Sequence, residues 1–226
     1  MSALSQLPQH LQLPKTAEEL RQAQRLFHGR GHAYQDLHHV TVDWLPPVIL
    51  ITLFAPEAHA EIEILADYLL SQLPACKSVQ LQHRDQLTGP IDIIRGENIR
   101  QLAIQEDNLL FNISLGQARN TGLFLDMRNG RRWVQEHSQN KRVLNLFAYT
   151  CGFSVAAIAG NASSVLNVDM SSPALNVGRQ NHRLNQQALD QVRFEKLDIF
   201  KSFSRFKKRG PFDLLICDPP TLQKGS

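Results

Sequence analysis

From Arg142 onward the apolar positions fall into short blocks that alternate regularly between two spacings. Arg142–Phe147, Ser164–Asp169, Val192–Lys196 and Phe212–Cys217 are brief apolar runs of strand length. Between them, Phe153–Ala159, Pro173–Asn185 and Ile199–Lys207 carry helical spacing, the second with proline in its first turn. Strands that alternate with helices in this way predict βαβ units. The fold class expected is therefore α/β, a doubly wound and mainly parallel sheet with helices on both faces. The fourth strand run ends close to the last residue, Ser226, so the sheet is expected to be an incomplete part of a longer one.

The first half has a different rhythm. Thr16-Ala-Glu-Glu19 has the capping-box pattern, predicting a helix from there to about Phe27 that stops at His28-Gly-Arg-Gly-His32. His38–Trp44 and Val48–Phe54 flank Pro46-Pro47, a hairpin signal. Ala58–Leu73 has helical spacing, and Val79–His83, Asp92–Arg95, Ile99–Gln105 and Leu109–Ser114 are further strand candidates. This half is expected to be α+β with antiparallel character. The division predicted is a first domain over residues 1–118 and a second over 119–226. Asp126–Gln139 should be helical, with Trp133, Val134 and His137 on one side.

Composition narrows the class. A chain of 226 residues, 42% hydrophobic and 20% charged, can bury a substantial core. It has no apolar run of the ~20 residues a membrane helix needs, and Met1-Ser-Ala-Leu-Ser-Gln is not a signal peptide, so no membrane partner is expected. Cys76, Cys151 and Cys217 are odd in number and lack metal-ligand spacing, which fits a reducing cytoplasm and predicts no metal site. A net charge of +3 is a weak pointer by itself. Two basic clusters, Arg128/Arg131/Arg132 and Lys201/Arg205/Lys207/Lys208/Arg209, read equally as solvated faces or as phosphate contacts.

The candidate chemistry sits after the strands, where open parallel sheets bind ligands. Gly152 and the small Cys151 suggest a tight turn before a helix start, though a plain βα turn would read the same way. There is no Gly-x-Gly-x-x-Gly, so a dinucleotide cradle lacks support. Asp169 ends its strand where it can accept from both ribose hydroxyls, because Ser171 or Ser172 is the better cap for the next helix. Asp198 can reach an adenine amino group or cap the short helix after it. Asp218-Pro-Pro-Thr221 is a rigid loop that presents a carboxylate to a planar, hydrogen-bonding substrate.

Thr121-Gly-Leu-Phe-Leu-Asp-Met-Arg128, Asn145-Leu-Phe-Ala-Tyr-Thr-Cys-Gly-Phe-Ser154, Val168-Asp169, Ala174–Asn185 and Asp218-Pro-Pro-Thr221 stand in an informative order. With them the stretch from Gly122 resembles the Rossmann-like, class I S-adenosylmethionine-dependent methyltransferases. More narrowly it is similar to the bacterial 23S ribosomal RNA group that includes the large-subunit guanine-N7 and cytosine-C5 enzymes. Arg25-Leu-Phe-His-Gly-Arg-Gly-His32 also looks like that group's accessory region.

The resemblance implies S-adenosylmethionine as cofactor and an RNA base, in ribosomal RNA, as substrate. Asn145 and Phe147 to Gly152, including Tyr149, Thr150 and Cys151, would wrap the methionine end. Asp169 and Met170 would hold the ribose side, and Asp198 the adenine. Phe124, Asp126 and Arg128 would cap the cofactor, Arg128 pairing with its carboxylate, although Asp126 and Arg128 also read as a charge pair at a helix start. Asp218, Pro219 and Pro220 would form the catalytic loop beside the methyl group.

Two features depart from the family pattern. Cys151 stands where many relatives have glycine. Thr221 follows Pro-Pro where exocyclic-amine methyltransferases carry an aromatic, which argues against adenine-N6 methylation. A cytosine-C5 enzyme needs a cysteine nucleophile; Cys217, expected to point into the sheet, is a poor candidate. Two readings compete with an enzyme of this kind: a non-catalytic RNA-binding module with a vestigial pocket, and a nucleotide-dependent oxidoreductase.

Overall fold

The computed structural model describes residues 3–31, 33–117 and 119–219. Pro220 and Thr221, both named above, lie outside the described residues, as does His32. The chain forms two compact units, residues 1–108 with 113–121, and residues 109–112 with 122–226.

In the first unit, α1 (Ala17–Arg21) begins with the predicted capping box: Glu19 N donates to Thr16 Oγ1, and Thr16 N donates back to the Glu19 carboxylate. The helix does not reach Phe27. It stops at Arg21, and β1 (Gln24–His28) follows. Leu26 and Phe27 gain more from burial in a sheet-backed core than a longer helix would give them, and Arg25 pairs with Asp43 on β2 at 2.8 Å. β2 (Val40–Leu45) and β3 (Val48–Leu53) form the predicted antiparallel hairpin, turning on Pro46-Pro47. α2 (His59–Gln72) then crosses over to β4 (Ser78–His83), which runs parallel to β3; β5 (Ile91–Gly96) closes the sheet antiparallel. Buried Trp44, Ile49, Ile51, Leu65, Leu69 and Leu81 belong to the core of this sheet and helix. β6 (Gln101–Glu106) and β7 (Leu109–Ser114) form a two-stranded sheet, and Leu109–Asn112 of β7 counts with the second unit.

The second unit has the predicted alternation. α3 (Arg128–His137) leads to β8 (Arg142–Leu146), α4 (Gly152–Ala159), β9 (Ser164–Asp169), α5 (Ser172–Leu184), β10 (Val192–Lys196), α6 (Phe203–Arg209) and β11 (Leu214–Cys217). All neighbouring strands are parallel, in the order β10-β9-β8-β11. The chain steps outward from β8 to β10, then returns to the far side of β8, so strand order reverses between β8 and β11. α6 starts at Phe203 rather than Ile199, because Asp198 folds the intervening segment into a turn. On α3 only Val134 of the expected trio is buried. Trp133 is 49% exposed and stacks on His137, with ring centroids 4.2 Å apart.

Alternation along the strands separates the two faces. Val143, Val165 and Ile216 pack with Val134 of α3 and Ala157 of α4; Leu144, Leu146, Leu166 and Val168 pack with Phe206 of α6. Leu215 and Cys217 lie on exposed positions of β11, so Cys217 does not point into the sheet as expected. Among the described residues no helix is long and apolar enough to cross a membrane.

A buried polar chain runs through one face. Asn145 Nδ2 donates to Asn167 Oδ1, and Asn167 Nδ2 to Ser154 Oγ, both at 2.9 Å. Ser154 Oγ lies 2.9 Å from His182 Nε2, and His182 Nδ1 lies 2.7 Å from Gln187 Oε1. Gln187 Nε2 ends the chain on the Val155 carbonyl. One proton arrangement satisfies every member: a neutral imidazole protonated on Nδ1, accepting from the Ser154 hydroxyl. Burial holds the His182 pKa down at about 4.

That depression links stability to pH. Between about pH 6.5 and 4 the unfolded chain binds a proton at this position and the folded chain does not. Stability from this group is complete above about 6.5 and is lost as pH falls toward 4, by roughly 3 kcal/mol. Urea denaturation at about pH 7, 5.5 and 4.5 should show a flatter pH dependence for His182→Gln than for the unsubstituted chain. Equal slopes in the two proteins would refute the assignment.

Candidate functional site

Parallel pairing places the strand ends side by side. Leu146 of β8 pairs with Val168 of β9 and with Cys217 of β11, and Asp169 pairs with Lys196 of β10. Phe147, Asp169, Leu197 and Asp218 therefore leave the sheet along one rim. Asp169 and Asp218 stand two strand spacings apart, about 10 Å. The reversal of strand order puts the crevice at the β8–β11 end of this rim.

The loop from β8 to α4 has an unusual backbone. Phe147, Tyr149 and Cys151 all have left-handed φ, at 55°, 47° and 61°. Each such residue costs roughly 1–2 kcal/mol unless its surroundings hold it. The surroundings do so here. Tyr149 N donates to Asp169 Oδ2 at 2.8 Å, Thr150 Oγ1 donates to the Gly122 carbonyl at 2.5 Å, and Asn181 Nδ2 donates to the Thr150 carbonyl at 3.0 Å. Cys151 N donates to the Ala148 carbonyl at 2.7 Å. The left-handed geometry at Cys151 explains why glycine suits this position. Gly152, expected to make the turn, is instead the first residue of α4, where a Cβ would crowd Leu123 at 3.2 Å.

Asp169 ties the loops together. Its Oδ1 accepts from Ser171 N at 2.8 Å while Oδ2 holds Tyr149 N. Ser171 caps α5 through its own hydroxyl, so Asp169 is not used as the helix cap. Each carboxylate oxygen keeps a lone pair for a further donor. Asp198 Oδ1 accepts from Phe200 N at 3.0 Å and Lys201 N at 3.3 Å; among the described residues Oδ2 meets only the exposed Lys201 ammonium, at 3.5 Å. This turn presents Phe200, 75% exposed, with its ring 6.1 Å from that of Phe147. Met170, 65% exposed, follows Asp169 on the same rim. Phe200 was not singled out from the sequence. Its signal was an aromatic two residues beyond a strand-terminal Asp, which the expected helix at Ile199 obscured.

At the other end, Phe124 tilts against Tyr149 with centroids 5.6 Å apart. Asp218 stands exposed beyond β11, yet its carboxyl is pushed above the usual range. Loss of water around the carboxyl acts first, then the charge of Asp126, with Arg131 opposing them. Asp126, Arg131 and Asp218 therefore converge electrostatically. Arg131 is buried and donates to the Phe124 carbonyl at 2.9 Å, so it is neither a solvated face nor a phosphate contact. Its position one turn before the buried Val134 was the sequence signal. Arg128 opens α3 and is partly buried. Three of the predicted ligand residues are buried: Thr150 and Cys151, at 4% and 0% exposed, and Asn145, which is 1% exposed with its amide committed to Asn167. Burial pushes the Cys151 thiol up, with the Asp169 charge adding to it and Arg179 opposing, so the sulfur stays protonated. Among the described residues no three His, Cys, Asp or Glu side chains gather as a metal site needs.

Residues 24–226 match the model of a family described as S-adenosylmethionine-dependent methyltransferase. The chain is similar to ribosomal RNA large subunit methyltransferase I of Aeromonas salmonicida, with 30% identity over 188 residues, 80% of this chain and 48% of that protein. It thus spans about half the length of the curated relatives it matches. A solved structure described as a SAM-dependent methyltransferase from Streptococcus mutans superposes with TM-score 0.78 at 25% identity, covering 89% of this chain and 53% of that one. Another, described as a methyltransferase complexed with SAH, gives 0.79 at 25% identity, covering 89% and 52%.

The strained loop depends on a gap in α5. A Cβ on Gly178 would lie 2.4 Å from Cys151 Sγ and 2.9 Å from its Cβ. Gly178→Ala should destabilise the chain by about 1–3 kcal/mol. In a Cys151→Gly background the next atom the added methyl meets is the Thr150 carbonyl oxygen, at an ordinary 3.4 Å, and glycine accepts φ 61° freely, so most of the loss should disappear. Thermal melts of the four proteins test this; an equal penalty in both backgrounds rules it out.

Proposed function

Because the chain belongs to the S-adenosylmethionine-dependent methyltransferase family, we propose that its rim between β9 and β11 holds S-adenosylmethionine and that the protein methylates an RNA base, in 23S ribosomal RNA. The observation that carries this reading is the reversal of strand order beside β8, with Asp169 and Asp218 on one rim. The name of the Aeromonas relative supports the choice of a large-subunit ribosomal RNA, and three free cysteines support a reducing cytoplasm. Residues 1–118 serve as the accessory RNA-binding region and 119–226 carry the cofactor.

The residues present fit the cofactor. Asp169 offers acceptor sites to the two ribose hydroxyls without losing its hold on Tyr149 and Ser171. Met170 and Phe200 supply apolar walls for the adenine ring, and Asp198 Oδ2 is the atom that can turn to its amino group. The strained turn at Phe147–Gly152 wraps the methionine end, and Phe124, Asp126 and Arg128 close over it. When bound, the sulfonium supplies an activated methyl group. The protein's part is positioning: Asp218 and Pro219, with Pro220, would orient the base towards the methyl group. The carboxylates at the rim also favour the positive charge of the sulfonium.

Calorimetric titration with S-adenosylhomocysteine tests the cofactor assignment. Removing the ribose diol from the ligand should weaken binding to the unsubstituted chain on the order of tenfold or more, since each charged hydrogen bond contributes about 1.5–3 kcal/mol. Asp169→Ala should bind both ligands weakly and without preference. A preference for the diol that survives in Asp169→Ala removes the ribose role.

A further inference from the structure

The basic cluster on α6 has no part in the crevice, yet the structure gives it a continuation. Arg205 and Arg209 stand four residues apart on α6 and so share a face, with about 6 Å between their Cβ atoms. Arg209 reaches β10 and pairs with Glu195 at 2.7 Å. Arg193 is two residues before Glu195 and therefore on the same side of β10. An open groove of about 480 Å³ runs there, lined by Arg179, Arg193, Phe194 and Arg209 among others. Arg179 lies over the Phe194 ring, 4.5 Å from its centroid. The single carboxylate of the groove, Glu195, is already answered by Arg209. Arg193 and Arg205 are in no ion pair among the described residues. Towards the rim, the turn that precedes α6 carries Lys201, its ammonium 3.5 Å from Asp198, beside the exposed Phe200.

A cationic row that starts at the crevice and leads away from it, next to an arginine-stacked aromatic, has the chemistry of a single-strand track: charges for successive phosphates and flat faces for bases. We infer that this row, from Lys201 through Arg205 and Arg209 to Arg193, binds the phosphate backbone of RNA next to the nucleotide to be methylated. The inference rests on the reading of RNA as substrate. It places an RNA contact on the methyltransferase unit itself, separate from the accessory region.

The test is fluorescence anisotropy with a labelled single-stranded oligoribonucleotide at several salt concentrations, using the full chain and an Arg193→Gln/Arg205→Gln variant. Both side chains are exposed, and S-adenosylhomocysteine affinity serves as the folding control. Affinity should fall on the order of tenfold near 0.1 M salt, and the slope of log affinity against log salt should drop by about 1. Arg193→Lys/Arg205→Lys should restore most of both. If RNA binds with unchanged affinity and slope in the Gln variant, this surface is wrong while the RNA reading stands. If the unsubstituted chain binds no RNA, both fall. Should the double variant lose the folding control, Arg205→Gln alone repeats the measurement, with half the change in slope expected.

Discussion

The carboxylate of Asp169 grips two backbone amides, Tyr149 N on one loop and Ser171 N on the next, each at 2.8 Å. Three residues of the first loop sit in left-handed conformations that their side chains disfavour. A charged acceptor on one of those amides is worth more than a neutral one, because it offsets strain and satisfies a donor in the same contact. Thr150 and Asn181 complete the clamp from the opposite side. The turn is thus held by the chain's own hydrogen bonds, which lowers the cost of ordering it on binding.

The clamp works only because the ends of β8 and β9 are held in register, and the buried polar chain contributes to that. Asn145 and Asn167 face one another across the paired strands, and Ser154 and His182 carry the bonding into α4 and α5. A purely apolar face could slide by small adjustments of packing. A chain of buried donors and acceptors, each with one satisfying partner, makes any shift expensive. Asn145 therefore serves the site from beneath it. Gly178 has a related role, since the missing side chain lets α5 approach Cys151 closely enough for Asn181 to reach Thr150.

Much of this was legible in the residues, and the failures share a cause. The βα alternation gave β9 and β10 to the residue, because short apolar runs between polar turns leave little choice. Asp169 stood out because a better cap, Ser171, followed it. The helix expected through Phe27 ended at Arg21 because spacing cannot say that Leu26 and Phe27 belong to a sheet whose other strands are distant in sequence. Cys217 was misread for a similar reason: a strand run gives alternation, but which of its faces is covered depends on helices elsewhere. Asn145 looked like a ligand because it sat inside a recognisable motif, whereas its partner, Asn167, was only a polar residue in a strand. Tertiary partners decide these cases, and local pattern does not contain them.

The second unit also separates its charges. The rim collects Asp126, Asp169, Asp198 and Asp218, and loss of water, then the charge of Asp126, pushes the Asp218 carboxyl above its usual range. The flank formed by α6 and β10 collects Arg193, Arg205, Lys207 and Lys208, all exposed. A sulfonium entering the rim would relieve repulsion already built into it. A polyanion would be kept off the same rim and drawn to the flank, so that only an unstacked base need approach the carboxylates. On the proposed reading the two ligands would carry opposite charge, and a single short helix would separate the groups that attract them.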